Sequence, residues 1–217
     1  MPGRDCPRCP RLVAFRQSWR ASEPDWFNAP VDSFGPTDAR LLIVGLAPGL
    51  RGANRTGRPF TGDYAGDLLY ATLAEFGFAH GHYAASADDG LQLADCRITN
   101  AVRCVPPDNK PTPQEITTCR DFLKSAIAEM KNLRAVVALG RIAHESFVLA
   151  SGLRRSEFPF AHGRVHAVAA LTLLDSYHCS RYNTNTGVLT PQMFRDVIAA
   201  ARKLIDARPE RAFATTP

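Results

Sequence analysis

Three polar side chains of complementary chemistry, Asp63, Asn100 and His178, fall at or beyond the ends of short apolar runs. A carboxylate, an amide and an imidazole can together orient water, read the edge of a heterocycle and donate to a developing oxyanion. Each residue also has a plainer reading. Asp63 precedes a helical stretch and suits an N-cap as well as a catalytic acid. Asn100 ends an apolar run, where an unpartnered amide is costly to bury. His178, taken alone, reads more readily as a satisfied loop histidine. Their joint placement favours a shared task.

The run 45–63 is glycine-rich and carries three arginines, Arg51, Arg55 and Arg58. No Gly-Lys-Ser/Thr follows it and no G-x-G-x-x-G lies within it, so neither a P-loop nor a dinucleotide fingerprint is present. Its glycines allow backbone N–H groups close to a ligand and its arginines suit phosphate, with a solvated basic loop as the alternative. Cys6 and Cys9 form a C-x-x-C pair; Cys104 and Cys119 follow with fourteen residues between them. In a reducing compartment such cysteines read first as metal ligands. Cys96 and Cys179 sit inside strand or loop segments and stand apart.

The elements that must position these groups can be read from apolar patterning. Four continuous runs, 41–45, 96–102, 135–139 and 171–176, suit strands buried on both faces of a parallel sheet. Helices are predicted over 12–20, 66–76, from the capping box Thr112-Pro113-Gln114-Glu115 to about 132, over 141–150, and from Thr190-Pro191 through Leu204. Alternation of this kind predicts an α/β/α sandwich around a four-stranded parallel sheet, with sites beyond the carboxyl ends of its strands. The chain is expected to form one domain over 1–217, with a flexible tail after about 207. At 217 residues, 45% apolar and 22% charged, it has the composition of a globular protein. No apolar run is long enough to cross a bilayer, and the first residues lack the apolar core of a secretory signal. A cytosolic, nucleoid-associated monomer is expected. A net charge of +5 is compatible with a polyanionic partner.

Longer motifs then carry a family likeness. Gly45-Leu46-Ala47-Pro48-Gly49, the segment from Asn54 to Asp63, the run from Ala101 to Pro113 and the segment from His178 to Gly187 resemble the motifs of the uracil-DNA glycosylase superfamily. They are most similar to its iron–sulfur type-b branch, family 5, and the likeness spans Cys6 to about Leu204. The resemblance implies excision of uracil, hypoxanthine and xanthine from DNA, leaving an abasic site. It implies a [4Fe–4S] cluster on Cys6, Cys9, Cys104 and Cys119, with zinc as the alternative. Ala47 stands where better-known superfamily members carry a polar or acidic residue that activates water; the branch assigns that task to the aspartate matching Asp63.

Gly45, Leu46, Ala47, Phe60 and Asn100 are expected to line the base pocket, with Phe60 stacking on the flipped base or packing in the core. The small Gly45 and Ala47 suggest a roomy pocket. Arg55, Arg58, Lys110 and Ser180 are expected to contact DNA, and Arg181 or Tyr182 to wedge into the duplex. No lysine lies within segments 45–63 and 178–187, so hydrolysis without strand cutting is expected. Two rivals remain at this stage. A nucleotide hydrolase would need divalent metal, for which no acidic cluster is apparent. A non-catalytic cluster-bearing DNA-binding module would leave Asp63, Asn100 and His178 without a shared task.

Overall fold

A computed structural model describes residues 1–207; the expected flexible tail lies outside them. In chain order the elements are α1 (Pro10–Ser22), β1 (Leu41–Gly45), α2 (Ala53–Thr56), α3 (Tyr64–Glu75), β2 (Ala79–His80), β3 (Gln92–Leu93), β4 (Cys96–Asn100), α4 (Pro113–Glu129), β5 (Ala135–Leu139), α5 (Arg141–Ala150), β6 (Val165–Val168), β7 (Leu171–Ser176), α6 (Arg181–Asn185) and α7 (Pro191–Asp206).

The main sheet has five strands in the order β4-β1-β5-β7-β6. The first four run parallel, as expected, and pair Gly45 with Asn100 at the end of the β1–β4 ladder. The expectation of four strands is corrected by β6, which adds an antiparallel edge to β7. Strands β1, β4 and β5 are buried throughout, which explains why their sequences read as unbroken apolar runs. Leu41 and Ile43 face one apolar layer, shared with Leu69 and Leu73 of α3 and Phe194 and Ile198 of α7. Leu42 and Val44 face the other, with Leu123 of α4 and Phe147 of α5. This period-two division gives the three layers.

Helix boundaries follow local chemistry. Thr112 caps α4 in a capping box with Glu115, and Thr190 accepts from Met193 N to open α7. Proline occupies the first turn in both, where no N–H is needed. The chain leaves the sheet after Asn100, so the strand is shorter than the 96–102 run suggested. Ala101 N and Val102 N instead bond the carbonyls of Gly45 and Leu46.

Candidate active site and cysteine pocket

Asp63, Asn100 and His178 meet at one pocket of about 350 Å³ of atom-free space at the carboxyl ends of β1, β4 and β7. Leu46, Ala47, Gly49, Phe60, Ala65 and Asn109 complete its wall. Asp63 caps α3 and also lies on the pocket wall. Its Oδ1 accepts from Gly66 N at 3.1 Å as the N-cap of α3, while its Oδ2 lies against Gly49 and Gly52. A Cβ on those glycines would stand 3.0 and 2.7 Å from that oxygen. Burial raises the Asp63 carboxyl above its ordinary 3.8, partly countered by the Gly66 N–H.

Asn100 is 2% exposed, and its Oδ1 has no hydrogen-bond partner. An acceptor buried in this way carries a desolvation cost that a ligand N–H would relieve. His178 is half-buried, and burial lowers its imidazole to about 4. It is therefore neutral near pH 7, with one ring N–H to donate. Asn183 Nδ2 donates to His178 O at 2.9 Å and holds the backbone after β7.

Phe60 packs in the core and also lies on the pocket wall. It is 7% exposed and belongs to the core, yet its ring stacks on that of His178, with centroids 5.9 Å apart. Its φ of 54° is unusual for an aromatic residue. The surroundings fix it there: Tyr83 Oη donates to Phe60 O, and Gly66 packs against that same carbonyl so closely that any Cβ would collide.

Two expected contacts are corrected. Gly45 does not line the pocket; the space its missing Cβ leaves is taken by Asn100 and Phe60. Arg58 does not face solvent. Its side chain is 4% exposed and forms a two-pronged pair with Asp89 at 2.8 and 2.7 Å, under the rings of Phe34, Tyr70 and Tyr83. A guanidinium committed to that pair cannot reach phosphate, and its work is to anchor the loop that carries Phe60. Arg55, Lys110, Arg181 and Tyr182 are exposed, the last at 74%. Ser180 caps α6 through Asn183 N, and Arg181 lies over Tyr64.

Asn109 and Ala65 reach the pocket wall without having been singled out from the sequence, and Gly49 had been named only within the first motif. For Asn109 the signal was slight: an Asp-Asn step between prolines, which here takes two successive positive φ values. Asn and Asp are the non-glycine residues that tolerate this backbone best.

Cys6, Cys9, Cys104 and Cys119 line a second pocket, of about 320 Å³ of atom-free space, with Leu12, Val13, Phe122, Arg16 and Arg103. It joins the start of α1 to the segment after β4 and to α4. Arg11–Glu115 and Arg8–Asp121 pairs brace the same junction. Among the described residues, the four cysteines do not form a closely spaced group of metal-ligating atoms. Burial pushes the Cys104 and Cys119 thiols up to about 12 and about 11. Thiolates therefore require a compensating cation or cluster. Cys96 and Cys179 lie apart from this group, fully buried in the main core.

Comparison with known proteins accords with these features. The uracil DNA glycosylase superfamily model matches residues 33–202. A type-5 uracil-DNA glycosylase of Thermus thermophilus is 46% identical over 206 residues, 92% of this chain and 93% of that one. Its namesake in Mycobacterium bovis is 43% identical over 92% of this chain and 78% of that one. The Pyrobaculum aerophilum protein of the same name is 38% identical over 91% and 88%. The chain belongs to the uracil DNA glycosylase superfamily, and to its type-5 group.

Proposed function

We propose that this protein is a DNA-repair glycosylase that hydrolyses the N-glycosidic bond of uracil in DNA and leaves an abasic site. Hypoxanthine and xanthine are proposed as further substrates. The observation that carries the reading is the meeting of Asp63, Asn100 and His178 on one pocket beyond the carboxyl ends of the strands. Uracil, hypoxanthine and xanthine each present a ring N–H beside a carbonyl, a pattern that a carboxamide complements with its acceptor and its donor.

The base must leave the duplex to enter this pocket. Phe60 would stack on it and Asn100 would hydrogen-bond its edge. As the glycosidic bond lengthens, negative charge gathers on the base and positive charge on the sugar. Neutral His178 would donate its N–H to the base carbonyl that gains charge. Ionised Asp63 would stabilise the sugar cation and orient water at the anomeric carbon. Arg55, Lys110 and Ser180 would contact the DNA backbone, with Arg181 or the exposed Tyr182 as the wedge.

Cys6, Cys9, Cys104 and Cys119 are proposed to hold a [4Fe–4S] cluster. Four thiolate donors suit it, and one C-x-x-C pair with two distant cysteines is unlike the two C-x-x-C pairs of a zinc ribbon. The cluster would tie the amino-terminal helix to the segment that carries Asn109.

The test is incubation with oligonucleotides carrying uracil, hypoxanthine or xanthine, in chelator, followed by alkali. Cleavage of all three at the modified position is expected, without strand cutting before alkali. Cleavage of uracil alone would restrict the substrate range. Cutting that requires divalent metal would point to a nucleotide or strand hydrolase instead.

A further inference from the structure

Of the five arginines in the first twenty residues, three have carboxylate partners and Arg4 lies over the Phe27 ring. Arg8 pairs with Asp121, Arg11 with Glu115 and Arg20 with Asp5. Arg16 is the buried one: 3% exposed, it directs Nη1 to Cys104 Sγ at 3.7 Å and Nη2 to Cys6 O at 3.1 Å, and its Nε has no partner among the described residues. Arg103 is 1% exposed and lies on the same pocket. Its Nη1 donates to Val31 O and Ser33 Oγ, but Nε and Nη2 have no partner. Its backbone N–H points at Cys119 Sγ, 3.3 Å away.

Two buried guanidinium ions without carboxylates are costly unless an anion faces them. A pocket of four thiolates around an iron–sulfur core supplies one, since the thiolates outweigh the charge of the core and leave a dianion. We propose that Arg16 and Arg103 are the counter-charge of the cysteine-held cluster and set its reduction potential. The inference rests on the cluster assignment above. Positive charge and N–H donors at the sulfurs stabilise the more negative, reduced state most, so these residues raise the potential.

The experiment is a redox titration of the iron-loaded full chain, with dithionite as electron donor and the reduced cluster read by electron paramagnetic resonance. Iron and acid-labile sulfide are measured on the same samples. Arg16→Met is expected to shift the reduced-to-oxidised ratio at a given potential at least tenfold, equivalent to about 59 mV for one electron, toward the oxidised form. Arg16→Lys, which keeps the charge, is expected to recover most of that shift.

An unmoved potential in fully loaded Arg16→Met and Arg103→Met overturns the proposal and leaves the cluster assignment standing. If the methionine variants lose iron while Arg16→Lys and Arg103→Lys retain it, the charge holds the cluster in place, and the claim that it sets the potential is overturned. Loss of iron from the lysine variants as well assigns both residues to packing and overturns it. Wild-type protein without iron or labile sulfide overturns the cluster assignment and this proposal together.

Discussion

Gly45→Ala adds one methyl group at the point where strand and pocket meet. The new Cβ would stand 2.4 Å from Asn100 Oδ1 and 2.6 Å from Phe60 Cζ. Ordinary contact needs roughly 3.5 Å, so about 1 Å of movement is required. The strand cannot retreat, because β1 is bonded to β4 on one side and β5 on the other. The side chains of Asn100 and Phe60 must yield, and both line the pocket. A misplacement of this size costs on the order of 10²-fold in rate, or about 2.7 kcal/mol of transition-state stabilisation. Overpacking should cost the fold roughly 1–3 kcal/mol, lowering Tm by about 2–12 °C. Single-turnover excision from a uracil oligonucleotide, with a melting curve on the same sample, separates the two effects. A folded Gly45→Ala protein that keeps its rate within about threefold would refute the claim that this glycine makes room for the base-reading residues.

Asp63 must be ionised to act, and burial raises its pKa. The acid limb of the kcat/KM profile is therefore expected above pH 3.8, with activity lost as pH falls through it; a limb unchanged in residual Asp63→Asn activity would assign it elsewhere. Arg58→Ala strands the buried Asp89 carboxylate and should cost about 3–5 kcal/mol of stability while leaving the salt dependence of DNA binding unchanged. Arg55→Ala should instead leave the melting temperature alone and reduce the salt slope by about one; the opposite pattern would reverse the two assignments. Both ring nitrogens of buried His144 face acceptors, Asp175 Oδ1 at 2.6 Å and Phe158 O at 2.7 Å. Burial lowers its pKa, but Asp175 more than offsets this and the net pKa is raised above 6.5. Its stabilisation is complete below about pH 6.5 and lost as pH rises through the folded value, so the Tm gap to His144→Gln should shrink over that range. A gap that widens would contradict the paired imidazolium.

Legibility in the sequence varied with the range of the interactions involved. Continuous apolar runs located the four parallel strands because burial on both faces leaves no alternation to misread. Edge strand β6 escaped: Val165-His166-Ala167-Val168 is short and mostly half-buried or exposed, and it joins β7 through Ala169 at φ 53° rather than through a glycine turn. Asn100 ends β4, His178 follows β7 and Asp63 closes the loop after β1, so strand ends made the three legible as a group. Arg58 was misread because loop composition cannot tell which of three arginines turns inward. Its partner Asp89 lies 31 residues away and nothing local links them. The unpaired Arg16 likewise becomes apparent only once its neighbours on α1 are seen with their carboxylates.

The most direct test of the account is the release of free uracil from a uracil-containing duplex in chelator, quantified by chromatography for wild type, Asp63→Asn, Asn100→Ala and His178→Ala. The account predicts stoichiometric release by wild type, with each variant folded, still binding DNA and slowed by at least about 10²-fold. Release undiminished in all three variants would contradict it, as would wild-type protein that binds the duplex and frees no base.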